Sequence, residues 1–218
     1  MYSGSIPDVA STSFCFGLPI MPDVTGVILA GGRGSRLGGV IKANLEIGGE
    51  TLTSVLQRRL DGQAQRVVLS TGRFAAENLK TNGLPWVADP DGVEMGPVSG
   101  LSAAIQWCAA NAPETEFLLT VAVDTPFFPT DFAQRALSVL NDDVDVVMAH
   151  ANGQRFPTNA LWRLSALRDL PERIAAQKFN GGLRDIMAFE RTQVLDYPLS
   201  DGHHPFENIN TPEDYQRL

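Results

Sequence analysis

The hydrophobic positions alternate between two rhythms along the chain. Val24 to Ala30 is a short, largely apolar run and Phe117 to Val123 a near-continuous one, and both predict strands buried on two faces. Arg66–Thr71, Trp86–Ala88, Val144–Ala149 and Val194–Tyr197 predict further strands, and Leu161–Leu164 is a looser apolar patch. Helical spacing predicts a helix at Leu52–Leu60, where Leu52, Val55, Leu56 and Leu60 share one face, and a short one around Ala75–Leu79. Further helices are predicted at Ser99–Ala110 and near Asp131–Leu140, Ser165–Ala176 and Leu183–Phe189. Thr211-Pro212-Glu213-Asp214 has the form of a helix start, with Thr as cap and Pro first inside. Repeated strand–helix units imply an α/β protein, a mostly parallel sheet with helices on both faces. Ligands of such sheets bind beyond the carboxyl ends of the strands, where strand order reverses.

The first apolar run empties into Gly31-Gly32-Arg33-Gly34-Ser35-Arg36-Leu37-Gly38-Gly39, followed by Lys42. Glycines let backbone N–H groups approach phosphates closely, and Arg33, Arg36 and Lys42 add positive charge. The Walker spacing is absent, and the dinucleotide pattern G-x-G-x-x-G fails at Leu37. A tight strand-to-helix turn explains the glycines alone, whereas the added cations favour a nucleotide triphosphate.

Composition narrows the function classes. The chain has 218 residues, 44% hydrophobic, with a formal net charge of −8. That length supports one sizeable core, and the acidic balance argues against nucleic-acid or anionic-membrane binding. No apolar run approaches the roughly 20 residues of a membrane span. Cys15 and Cys108 offer neither a disulfide framework nor metal-ligand spacing, which predicts a cytoplasmic protein. Residues 1–21, rich in Ser, Pro and Gly and without a positive n-region, are expected to form a flexible extension. Residues 22–218 are expected to form a single domain, with Met21 as an alternative start.

Several positions then stand out at strand ends. Asp124, before Thr125-Pro126, suits Mg²⁺, although an aspartate there can also merely open a turn. Asp89, before Pro90, can bind a base or ribose or simply end its strand. Gly96-Pro-Val-Ser-Gly100 opens a helix whose first amides can receive polar ligand groups. Asn208 and Asn210 lie on one side of an extended segment and can complete a metal or phosphate site or satisfy local backbone. No Ser/His/Asp or Cys/His arrangement is evident.

Leu29-Ala-Gly-Gly-Arg-Gly-Ser-Arg-Leu-Gly-Gly-Val-Ile-Lys42, Gly96-Pro-Val-Ser-Gly100, Asp124-Thr-Pro126, Phe156-Pro-Thr158 and Asn208-Ile-Asn-Thr-Pro212 occur in this order. Together they resemble the molybdenum cofactor guanylyltransferases of the nucleotidyltransferase superfamily, over nearly all of residues 24 to 218. The resemblance implies a three-layer Rossmann-like nucleotidyltransferase fold. It also implies a Mg²⁺-dependent enzyme that transfers GMP from GTP to the terminal phosphate of molybdopterin, metal-loaded or not, releasing pyrophosphate. Carried over by position, Leu29, Ala30, Gly31 and Gly32 contact the nucleotide, as do Ser70, Asp89, Gly96 and Gly100. Lys42 and Arg36 neutralise phosphate charge, and Asp124, with Asn210, holds Mg²⁺. Asn208, Lys178 and Arg184 are placed on the pterin side, where Lys178, Asn180 and Arg184 form a basic loop. The family often has Asn where Ser70 stands and Asp where Ile41 stands.

The expected partners are GTP and molybdopterin, with transient contacts to proteins that deliver or accept the cofactor. The cytidylyltransferase branch, which resembles this chain but has Ala at the place of Gly31, is the nearest alternative. A sugar-phosphate nucleotidyltransferase is a second, and a nucleotide-binding partner without turnover a third.

Overall fold

The structure is a computed structural model, and it describes residues 22–31, 41–72, 78–90, 95–179, 181–199 and 205–216. Gly32, Arg33, Arg36 and Asn180, the extension at 1–21 and most of the helix expected around Ala75–Leu79 lie outside those residues.

In chain order the strands are β1 (Val24–Leu29), β2 (Glu46–Ile47), β3 (Glu50–Thr51), β4 (Arg66–Gly72), β5 (Trp86–Ala88), β6 (Phe117–Ala122), β7 (Val146–Ala151), β8 (Gln154–Arg163) and β9 (Thr192–Tyr197). The helices are α1 (Leu52–Leu60), α2 (Pro97–Asn111), α3 (Phe132–Val139), α4 (Leu164–Leu167), α5 (Leu170–Ala175), α6 (Leu183–Phe189) and α7 (Pro212–Gln216). A 3₁₀ turn covers Lys42–Asn44. Among the described residues, no helix is long and apolar enough to cross a membrane.

Seven strands form one sheet in the order β5-β4-β1-β6-β8-β7-β9, and β2–β3 is a separate small hairpin. β5, β4, β1 and β6 pair in parallel, as do β7 and β9, and β8 runs antiparallel between β6 and β7. Successive residues of β1 face opposite ways because the strand period is two. Ile28 therefore joins a core with Leu52, Leu56, Leu60, Phe128 and Phe132 under α1 and α3. Val27 and Leu29 join the other, with Val98, Leu101, Trp162, Leu170 and Ile186 under α2 and α4–α6. Two apolar layers separated by one sheet make the three-layer sandwich that the alternation predicts.

Three departures from the sequence expectation have local causes. β8 runs from Gln154 to Arg163, well beyond the Leu161–Leu164 patch, and turns back from β7 through Asn152-Gly153, both at positive φ. Two such residues between strands make the hairpin turn that matches strand twist. The helix expected over 165–176 is two helices, α4 and α5. Pro171 lacks an N–H, and its ring would meet the Leu167 carbonyl in a continuous helix. Ile41, an apolar residue ahead of the lysine, packs half-buried against the α1-side core beside the 3₁₀ turn.

Candidate active site

β1, β4, β5 and β6 deliver their carboxyl ends to one rim, and strand order reverses between β1 and β6. A cleft of about 250 Å³ opens there, lined by Leu29, Gly31, Ser70 and Asp89 from one side and by Gly96, Pro97 and Gly100 from α2. Lys42, Asp124, Thr158 and Asn208 line it from the other side, with Gly72 also on its wall.

The closeness of its walls is a matter of missing side chains. A Cβ on Gly31 would lie 2.9 Å from the Gly72 Cα, and a Cβ on Gly72 would lie 2.5 Å from the Gly31 Cα. Gly72 also has φ +64°, which favours glycine. The two backbones touch, so the β1 and β4 ends close against one another. Asp89 N–H donates to the Gly72 carbonyl at 2.8 Å, which carries the contact on to β5. On the α2 side, a Cβ on Gly100 would meet Ser70 Oγ at 2.5 Å and Leu29 Cδ2 at 3.0 Å. The small Ser70, buried at 2% exposure, therefore lets the first turn of α2 reach the sheet. The fifteen-residue α2 directs its N-terminal end at the cleft, an arrangement that favours anions.

Across the cleft, Asp124 follows β6 in a turn that neighbouring elements hold in place. Thr125 N–H donates to the Ala122 carbonyl at 3.1 Å, and Ile209 N–H to the Asp124 carbonyl at 2.9 Å. Asn159, fully buried, accepts from Ala122 N–H at 3.1 Å and from the Thr125 hydroxyl at 3.3 Å through Oδ1. The β7–β8 register shifts between Met148 and Ala149, which jump from Ala160 to Phe156 as partners. Bulges of this kind redirect side chains next to sites. Here the interrupted stretch is Pro157-Thr158-Asn159, and it gives Thr158 to the cleft.

The lysine is the centre of the polar cluster. Lys42, 9% exposed, donates through Nζ to Asp124 Oδ2 at 2.7 Å and to Asn210 Oδ1 at 2.7 Å. Asn210 is held in turn by the start of α7. Asp214 Oδ2 accepts from Asn210 N–H at 3.0 Å and from Thr211 N–H at 2.9 Å, and Thr211 Oγ1 accepts from Asp214 N–H at 3.1 Å. This is a capping box, and Thr211 is the cap that the sequence pattern predicts. Asn208 Oδ1 is buried with no hydrogen-bond partner among the described residues, an acceptor in want of a donor or cation.

Of the residues selected from the sequence, the cleft brings together Leu29, Gly31, Lys42, Ser70, Asp89, Gly96, Gly100, Asp124 and Asn208, and Asn210 joins through Lys42. Ala30 is not among them: its methyl is buried in the α1-side core and its N–H donates to the Ser70 carbonyl at 2.8 Å. Lys178 is exposed and does not line the cleft. Arg184 lines a different cavity of about 590 Å³, with Arg155, Gln154, Pro157 and Met187. Pro157 lines this second cavity and Thr158 the cleft, so consecutive residues of the bulged stretch serve the two. Arg36 and Gly32 lie outside the described residues. Sequence reasoning missed Gly72, Asn159 and Asp214. A glycine ending the second strand, and an acidic residue three after a threonine cap, were the available signals for two of them.

Among the described residues, no group of three or more His, Cys, Asp or Glu side chains could hold a metal alone. Asp124 and Asn210 nonetheless aim two oxygens at one cationic atom. A hard divalent cation that takes a carboxylate, substrate phosphates and water fits that donor set.

Known proteins share this arrangement of sequence and fold. The model of the MobA-like NTP transferase domain matches residues 26–194. The molybdenum cofactor guanylyltransferase of Rhizobium rhizogenes (strain K84 / ATCC BAA-868) is 33% identical over 196 residues, which cover 88% of this chain and 89% of that protein. The structure of molybdopterin-guanine dinucleotide biosynthesis protein A from Archaeoglobus fulgidus superposes with a TM-score of 0.62 at 22% identity, covering 89% of this chain and 95% of that one. The Rv0371C complex with manganese from Mycobacterium tuberculosis H37Rv shares the fold at a TM-score of 0.61 and 16% identity, over 89% and 96% of the two chains. The chain belongs to the MobA-like NTP transferase family and, within it, to the molybdenum cofactor guanylyltransferases.

Proposed function

We propose that this chain transfers GMP from GTP to the terminal phosphate of molybdopterin, metal-loaded or not, and releases pyrophosphate. The observation that carries the reading is the convergence of Lys42, Asp124 and Asn210 on one point, in a cleft that the end of α2 also faces. In the reaction a terminal phosphate oxygen attacks the α-phosphorus of GTP. A new O–P bond forms, and the bond from Pα to the bridging oxygen breaks, its electrons leaving with pyrophosphate. The nucleophile is already anionic near neutral pH, so no strong base is needed, and no histidine lines the described part of the cleft. The chain's work is alignment and charge neutralisation.

Each wall has a share in that work. Gly31 and Gly72, with no side chains, let the nucleotide approach two strand ends, and Leu29 and Ser70 floor the cleft. Asp89 faces the base or ribose. The amides at Gly96 and beyond receive phosphate oxygens, and Lys42 supplies a positive charge, a task proposed for Arg36 as well. Asp124 and Asn210 would hold Mg²⁺, which when bound neutralises charge on the triphosphate; the Lys42 ammonium, already paired with Asp124, does not balance that charge alone. On the acceptor side, Asn208 and Arg184 with Arg155 are the groups proposed to receive the pterin phosphate, across the Pro157-Thr158 bulge. Lys178 is exposed and lines neither cavity, so it has no part in that proposal. Residues 22–218 are proposed to act as one unit, in a cytoplasmic setting that accords with the free buried thiol of Cys108.

Incubation with labelled GTP or CTP, Mg²⁺ and molybdopterin tests the reading. Pyrophosphate and the guanine dinucleotide should form from GTP, and product from CTP alone would move the chain to the cytidylyltransferase branch. Asp124→Ala should lower turnover by about a hundredfold or more. Arg184→Ala should raise KM for the pterin several-fold while leaving KM for GTP unchanged.

A further inference from the structure

The Lys42 ammonium stands at the point where Asp124 Oδ2 and Asn210 Oδ1 converge, 2.7 Å from each. Under the proposed function these two oxygens hold the divalent cation, and on that reading the following inference rests. A divalent cation on both oxygens needs the same space and meets the same-sign charge of the ammonium. The lysine and the metal are therefore exclusive occupants of the pair. The arrangement is firmly built: Lys42 is 9% exposed, its 3₁₀ turn closes through Leu45 N–H to the Lys42 carbonyl at 3.0 Å, and Asp214 fixes the Asn210 backbone.

We propose that Lys42 is a resident cation that keeps the Asp124–Asn210 pair closed to free divalent ions until an anionic triphosphate draws the ammonium away. A compact ammonium on a four-carbon stem can exchange carboxylate for phosphate oxygens by side-chain rotation alone. Nucleotide arrival then does two things at once. It places Lys42 on the phosphates, and it frees two oxygens for the metal that accompanies those phosphates. Metal acquisition is thereby tied to substrate, and by linkage the metal strengthens nucleotide binding by the same factor.

The test uses Mn²⁺ alone as probe, with no nucleotide present, read by the loss of free-ion EPR signal on titration. Lys42→Met should bind Mn²⁺ about tenfold more tightly than the wild-type chain, within the range of ordinary coupling between sites. Adding Asp124→Asn to Lys42→Met should abolish the gain, which locates it at the pair. If Lys42→Met is poorly folded by circular dichroism, Lys42→Gln, which keeps a donor but loses the charge, provides the same comparison. Equal Mn²⁺ affinity in wild-type and charge-free variants overturns the proposal, as does a gain that survives Asp124→Asn. Pyrophosphate release from GTP by the wild-type chain is measured in parallel. A failure of nucleotidyl transfer is thus told apart from a failure of the lysine–metal exchange.

Discussion

At the scale of single residues, the cleft is shaped as much by absent side chains as by present ones. The sequence singles out Gly31 as an expected nucleotide contact, and the structure places it against the Gly72 backbone. Gly72 itself was not legible, because nothing local distinguishes a strand-ending glycine that touches another from one that merely turns. Gly72→Ala should destabilise by about 2–3 kcal/mol, from positive φ plus a backbone clash, and should raise KM for GTP. Gly49→Ala is the matched control, since Gly49 also has positive φ (+86°) but open space around it. It should cost about 1 kcal/mol in denaturant titration and leave KM unchanged. Ile41 shows the opposite case. Its apolar character looked out of place beside Lys42, and packing against the core accounts for it.

At the scale of elements, parallel strands and long helices were readable because each buries a continuous or periodic apolar face. Leu52–Leu60 and Leu183–Phe189 have the predicted bounds for that reason. β8 was not readable over its first half, where Gln154, Arg155, Pro157 and Thr158 carry little apolar signal. Its residues are fixed by pairing with β7, a long-range contact that no local pattern encodes, although Asn152-Gly153 marks the turn. The start of α7 was legible as a cap, but its consequence for the site was not. Asp214→Ala removes the acceptor for Asn210 and Thr211 N–H and should cost about 1 kcal/mol of stability. It should also raise the Mg²⁺ concentration needed for half-maximal turnover more than KM for GTP, because Asn210 loses its anchor.

Across the whole molecule, an ion-paired cluster lies on the rim of the sheet opposite the cleft. Away from the cleft, Asp145 just before β7 accepts from Arg191 just before β9 at 2.8 and 2.9 Å, and Arg163 at the end of β8 lies 3.9 Å away. Hydrogen bonding from Arg191 holds the Asp145 carboxyl below its ordinary range against the cost of burial. A depressed carboxylate stabilises the fold above its unfolded value of about 4, and that stability is lost as pH falls through the folded value. Arg191→Leu should therefore move the acid-unfolding midpoint to higher pH, followed by circular dichroism. It should leave KM for GTP at neutral pH unchanged, because the pair lies on the far rim.

The single reversed strand has a consequence for how such a chain can diversify. Because β8 runs against its neighbours, the tip of the β7–β8 hairpin at Asn152-Gly153 emerges on the cleft rim, and Gly153, Gln154 and Arg155 line the second cavity. A tight turn on the surface accepts inserted residues more readily than a packed strand does. Lengthening or shortening this one turn reshapes the wall of that cavity while the Gly31–Gly72 contact and the Lys42 cluster stay where they are. The fold thus separates the part that must stay constant from a part free to vary, and it places both on the same edge.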